Sequence, residues 1–255
     1  MKLCTSDYVD TPHGNSTIWR YMSHNKLKDL INDAALYFPN ATRLTDQYEV
    51  TLPEKAISFK RQQLQQLGLD GRDLEEELAI FHWEKNPMKD LVLVNCWSLS
   101  PYESYALWKI YLGNHKNGVA IRTTAGALKR SIKHGGDTYP EDFYMGKVRY
   151  RHHLKQEELE SQLARLAVVT SKKPFYDFEK EMRLFILNYP LSEGGITPPY
   201  NIHEGRTVKV DLRTMIHHVY ISPFADESYT REVGTLLKSA GLRIDLIKQS
   251  EIKDK

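Results

Sequence analysis

A chain of 255 residues, 41% hydrophobic and 27% charged, has the composition of a folded globular protein and is long enough for one large domain or two small ones. Its 35 Lys and Arg almost balance 33 Asp and Glu, so a net charge of +2 exerts no general pull on nucleic acid or anionic lipid. Apolar runs such as DLVLV are too short to span a membrane, and the opening MKLCTSDYVD lacks a signal-peptide core, so no membrane partner and a cytoplasmic setting are expected.

Two cysteines, Cys4 and Cys96, form neither a disulfide framework nor a metal-ligand spacing. Four of the ten histidines occur as adjacent pairs, His152-His153 and His217-His218, and no H-x-x-x-H or C-x-x-C accompanies them. Neighbours on a strand point to opposite faces, so no metal site is expected.

In chain order, STIWRYMS (16–23) reads as a strand by its β-branched and aromatic content. HNKLKDLIND follows as a helix with Leu27, Leu30 and Ile31 on one face and Asn25 as N-cap, then ALYF as a short strand and PNATRLTDQYE as a loop. Residues from Glu54 to about Trp83 read as two helical pieces broken at LGLDGRD, and 54–88 is expected to be a helical insertion in a single domain spanning 1–255. DLVLVNCWS is a buried strand. SPYESYALWKIYLG carries helix punctuation, with Ser100 as N-cap, Pro101 at N1, Glu103 as capping-box partner and Gly113 as the stop.

GVAIRTT and GKVRY read as strands, with Thr124 capping the helix between them, and KQEELESQLARLAVV as an amphipathic helix with Leu159, Leu163 and Leu166 on one side. Beyond the Gly/Pro stretch LSEGGITPPYNIHEG, which together with KHGGD reads as a flexible loop, TVKVDL and HHVYISP are strands around a short helix. DESYTREVGTLLKSAG is a helix with Tyr229, Val233, Leu236, Leu237 and Ala240 at core spacing, stopped by Gly241, and LRIDLI is a closing strand. Strands and helices mix without regular alternation, and no glycine-rich phosphate loop follows a strand. The expected fold is α+β, with a single mixed or antiparallel sheet and flanking helices.

The informative stretch is FYDFEKEMRLFIL (175–187). Lying between breakers and rich in aromatic and apolar residues, it reads as a strand, which places Glu179, Glu181 and Arg183 on one face and Phe178, Met182, Leu184 and Ile186 on the other. An acid, acid, base row entering a buried strand needs a partner or a task.

Four blocks, WRYMS…LYFPNATRLTDQYE, NCWSLSPYESYALWKIYLGNHKNGVAI, FEKEMRLFI and VDLRTMIHHVYISPFA, resemble the bacterial proteins grouped as domain of unknown function 2971. The Asn-Asp-Pro-Phe-Glu usual in the first block stands here as Thr45-Asp46-Gln47-Tyr48-Glu49. Arg20 in IWRYM, Ser98 in NCWSLS and Glu179-Lys180-Glu181 in FEKEM are also similar, in order, to the site of ADP-ribosyltransferases, particularly DNA-modifying and toxin-type ones.

That resemblance implies an ADP-ribosyltransferase-like fold and an NAD-cleaving bacterial effector, set in phage defence or a toxin system. Glu181 and Glu179 are then the expected catalytic carboxylates, and Arg20, Tyr21, Ser98 and Arg183 hold the NAD. Cleavage of a glycosidic bond builds oxocarbenium-like charge that a fixed carboxylate stabilises, a second carboxylate can activate the acceptor, and arginine suits a pyrophosphate. The acceptor, nucleic acid or protein, and the oligomeric state stay open.

Other readings stand beside these. The Glu179, Glu181 and Arg183 row can be a plain ion-pair row, Arg20 can stack between Trp19 and Tyr21, and Ser98 can bond backbone. Asp46, Glu49 and Trp108 are further cleft candidates, although Trp108 and its aromatic neighbours Trp97, Tyr102, Tyr105 and Tyr111 suit a core equally well. A metal-dependent nuclease using Asp46, Glu49, Glu179 and Glu181, and a non-catalytic ligand- or nucleic-acid-binding module, are the alternatives.

Overall fold

The computed structural model describes residues 3–44, 46, 49–51, 54–85, 89, 92–132, 143–152, 164–187 and 205–252. Its elements are β1 (Leu3–Cys4), β2 (Thr17–Ser23), α1 (His24–Asp33), β3 (Ala35–Phe38), α2 (Glu54–Gln66), α3 (Gly71–Lys85), β4 (Val92–Leu99), α4 (Tyr105–Leu112), β5 (Gly118–Thr124) and α5 (Ala125–Ser131). They continue with β6 (Phe143–Lys147), β7 (Arg149–Tyr150), α6 (Ala164–Val169), β8 (Ser171–Lys172), β9 (Glu181–Leu187), β10 (Arg206–Lys209), α7 (Leu212–Met215), β11 (His218–Ile221), α8 (Glu227–Ser239) and β12 (Ile247–Gln249).

Eight strands form one sheet in the order β1-β6-β9-β4-β2-β5-β11-β12. Inner pairs are antiparallel, while β1 with β6 and β11 with β12 are parallel, so the sheet is mixed and the fold α+β. Small ladders join β10 to β3 and β7 to β8. No helix of the described residues is long and apolar enough to cross a membrane.

Alternation along the strands gives the sheet two apolar faces. Ile18, Met22, Val119, Ile121, Leu184 and Val219 meet α1 and α8 through Leu27, Leu30, Val233 and Leu237 in the main core. The opposite face is divided. Trp19, Tyr21 and Ala120 pack under α4 through Leu107, Trp108 and Leu112, whereas Val92, Val94 and Phe185 pack with Leu166 and Val169 of α6. Between these two clusters the same face carries polar side chains, and the candidate site lies there.

Local punctuation corrects several expectations. The N-cap of α1 is Ser23 rather than Asn25, and α4 begins later than its proline suggested, with Ser104 accepting from Leu107 N. Ser100 instead closes a turn with Tyr102, and Glu103 accepts from Trp108 Nε1, Ser250 Oγ and Glu251 N, so neither caps α4. Gly113 does end α4, at φ +56°, and Thr124 caps α5 through Ala127 N. Asp226 caps α8, and Gly241 follows it at φ +66°.

The strand read in GKVRY is two short ones separated at Val148, and LRIDLI is a 3-10 turn (Ile244–Leu246) running into β12. The helices α2 and α3 pack on each other through Leu64, Leu74 and Leu78. Leu159, Leu163, the loop at KHGGD and all of LSEGGITPPYNIHEG but Gly205 lie outside the described residues.

Candidate functional site

The stretch 175–187 is not one strand. Pro174–Glu179 forms a 3-10 helix, Lys180 takes a left-handed turn at φ +44°, and only Glu181–Leu187 is extended. Pro174 at the helix start sets the φ that this tight turn needs. Glu179 therefore arrives from a turn rather than from the strand face, and Phe178 is exposed rather than packed beside Met182. Glu181 and Arg183 do share a face, as strand alternation requires.

The site opens where β2 and β4 part. These strands pair only at Ile18–Leu99 and Trp19–Ser98, whereas β2 pairs with β5, and β4 with β9, along seven positions each. Beyond Trp19 the two strands diverge and leave a narrow recess. β2 contributes Trp19, Arg20 and Tyr21, β4 contributes Cys96, Trp97 and Ser98, α4 contributes Leu107 and Tyr111, and Glu179 and Glu181 complete the wall. Residues from both faces of the sheet line it because the gap runs between strands.

Three charged groups, Arg183, Lys172 and Glu49, stand behind the carboxylate wall. Arg183, with no exposed surface, donates from Nε to Glu181 Oε1 (2.7 Å), from Nη2 to Glu181 Oε2 (3.0 Å) and Glu49 Oε2 (2.6 Å), and from Nη1 to the Val169 carbonyl (2.8 Å). Lys172 Nζ sits among three acids, 2.8 Å from Glu49 Oε1, 2.7 Å from Glu179 Oε2 and 3.4 Å from Glu181 Oε2. Tyr150 OH accepts from the Glu181 backbone N–H at 2.7 Å, fixing the start of β9.

These contacts separate the two glutamates. Burial alone would raise the Glu181 pKa, but the charge and hydrogen bonds of Arg183, then Lys172, outweigh it and bring it to about 2. Glu179 moves the other way: burial raises its pKa above the ordinary carboxylate value, and the negative Glu181 and Glu49 add to that, against Lys172. Cys96, whose thiol bonds Glu181, stays protonated because burial and the Glu181 charge both raise its pKa.

Arg20 has no such partner. Its guanidinium lies 5.8 Å from the Trp97 ring centroid, and its Nη1 is covered with no hydrogen-bond partner. Burial pushes its pKa below the ordinary arginine value. Ser98 Oγ donates to the Glu179 carbonyl at 2.8 Å, which ties the 3-10 turn to β4. Tyr21 turns its hydroxyl away to accept from Ser104 N (2.7 Å) and offers its ring to the recess.

Of the residues expected at a site, Arg20, Tyr21, Ser98, Glu179 and Glu181 meet in one recess. Arg183 and Glu49 lie behind it, both spent on ion pairs. Asp46 is not in the lining, and Trp108 is fully buried against Tyr21 with its Nε1 bonded to Glu103. A metal held by Asp46, Glu49, Glu179 and Glu181 meets a direct obstacle, since the Lys172 ammonium already occupies the point among three of those acids. Trp97 and Tyr111 come from the aromatic cluster noted in the sequence, while Lys172 and Cys96 are the members that residue spacing did not single out. Lys172 was hidden in Lys172-Lys173-Pro174, which carries no signal beyond a break.

No family model matches the chain, so the resemblance to domain of unknown function 2971 finds no support there, and no curated protein matches it. Among solved structures, Thermus sp. 2.9 DarT in complex with ADP-ribosylated ssDNA matches at 12% identity over 94% of this chain and 100% of its own, with a TM-score of 0.39. A likeness that loose fixes neither activity nor substrate.

Proposed function

We propose that this chain is an ADP-ribosyltransferase-like enzyme that cleaves NAD at the nicotinamide–ribose bond. One observation carries the reading: Arg20 from β2, Ser98 from β4 and Glu181 from the start of β9 line one recess although they lie far apart in sequence. The residues suit the substrate. Arg20 offers a covered, unpartnered guanidinium nitrogen to an anionic group such as a diphosphate, and Glu181 offers a charge that its low pKa keeps ionised at neutral pH.

The recess is narrow, with enclosed space of about 10 Å³ that suits a water-sized group, so the nicotinamide–ribose end enters only as the lining side chains move apart. When NAD is bound, its glycosidic bond supplies the chemistry, developing positive charge on the ribose as it breaks.

The two carboxylates divide the work. Glu181 is held by both Arg183 nitrogens and presents a fixed negative charge. Glu179, partly exposed and with a raised pKa, is the group suited to take a proton from an acceptor. Trp97 and Tyr111 close the sides against water. The effector setting, a toxin or phage-defence system, and a nucleic-acid or protein acceptor belong to the same proposal.

The test is release of nicotinamide from NAD by purified protein. Glu181→Gln, which keeps the shape and removes the charge, is expected to lower the rate by about 10²–10³-fold, with a thermal melt as the check on folding. Tight NAD binding without turnover in the natural chain would replace the enzyme with a binding module. No binding and no turnover would remove NAD altogether.

A further inference from the structure

Along the same sheet face, on the far side of Trp19 from the recess carboxylates, lies a second group of side chains that the proposed reaction does not use. Trp19 stands opposite Arg122 of β5, and Arg122 stands opposite His218 of β11, so all three project to one side. Lys248 of β12 stands opposite Tyr220, two residues along from His218. The Arg122 guanidinium lies 5.8 Å from the Trp19 ring centroid, and Tyr220 packs edge-on against the same indole at 4.9 Å. Stacking uses the flat face of the guanidinium and leaves its N–H edge for another partner.

None of these donors is matched within the protein. Among the described residues Arg122 and Lys248 make no side-chain hydrogen bond or ion pair, and His218 Nδ1 is covered with no hydrogen-bond partner. Burial lowers the His218 pKa first, and the nearby charges that lower it further are Arg122 and Lys248, with His217. His217 is acted on in the same way by Arg122 and Arg130. Elsewhere surface cations face acids, as Lys147 faces Asp10 and Arg243 faces Asp245. Here Asp245, already paired with Arg243, is the acid that acts on Lys248, and the excess of positive charge around Arg122 and His218 costs stability and draws an anion.

We propose that Arg122, His218 and Lys248 form a phosphate-binding site, distinct from the recess and independent of whether the recess cleaves NAD. A guanidinium fork, an imidazole and an ammonium from three adjacent strands offer more donors than the two oxygens of a carboxylate can satisfy. The oxygens of a phosphate can accept from all three. The phosphate belongs either to a free nucleotide or to the backbone of a nucleic-acid strand, and both present the same oxygens.

The experiment follows histidine imidazole signals of the full chain by NMR while pyrophosphate is added at constant ionic strength, with His218→Asn identifying the responsive signal. Saturable movement of the His218 signal is expected. Arg122→Gln is expected to weaken binding tenfold or more, and Lys248→Gln, an exposed change that leaves the fold intact, severalfold.

No saturable movement would overturn the site, as would natural affinity in both variants or equal binding of glutarate. Two further titrations name the source. Adenosine monophosphate binding as tightly as a short single-stranded oligonucleotide marks a nucleotide site. An oligonucleotide that binds tighter and falls steeply with salt marks a strand-binding one.

Discussion

Arg183 and Arg20 project from two strands of the same sheet, and they are held in opposite ways. Arg183 spends its donors on Glu181, Glu49 and the Val169 carbonyl, while Arg20 rests against Trp97 with Nη1 unmatched. A covered cation with no acid beside it is costly, and one surrounded by acids is stable but occupied. The arginine next to the catalytic candidates in sequence is therefore the structural one, and the arginine that no acid pairs with is the one open to a ligand.

The largest expected effect tests the occupied side. Arg183→Met leaves Glu49 and Glu181 as buried acids short of a partner and is expected to cost about 3–5 kcal/mol. Calorimetry should then record a Tm roughly 6–20 °C lower. A loss of only a degree or two would erase the contrast between the arginines. Lys172→Met removes the ammonium shared by three acids and is expected to cost about 1.5–3 kcal/mol, read from the urea midpoint.

A third prediction concerns the open side. Arg20→Met keeps contact with Trp97 and removes an unmatched charge, so stability is expected to change by less than about 1 kcal/mol. NAD affinity, measured by calorimetric titration, is expected to fall at least tenfold. A stability loss as large as that of Arg183→Met would mean that Arg20 is structural as well.

The smallest effect is one of pH. Glu181 has a folded pKa of about 2 against an ordinary 4.5, so its contribution is complete above pH 4.5 and disappears as the pH falls toward 2. Glu179 has the opposite sign: its pKa is raised on folding, so protonation on acidification favours the folded state. Melting curves from pH 7 to 3 should show the natural chain losing more stability below pH 4.5 than Glu181→Gln does. In the same series Glu179→Gln should be no less stable than the natural chain at neutral pH.

How much of this the sequence revealed depends on the range of the interaction concerned. β2, β4, β5 and α8 are readable because apolar periodicity, a glycine stop and an aspartate cap act within a few residues. The start of α4 was misplaced because Ser100 and Ser104 are both competent caps, and tertiary contacts direct Glu103 to Trp108 and the chain's end. The turn at 174–179 was missed because an aromatic-rich run has the same composition as a strand.

Residue types and spacing by themselves determined the fold class, most of the strands and the set of polar residues suited to a site. Tertiary structure alone decided which charges are free. The Glu49–Arg183 pair spans 134 residues, and the recess exists because β2 and β4 share only two paired positions before they separate. Ion pairing and strand divergence are contacts between distant segments, and local patterns of side chains contain no term for them.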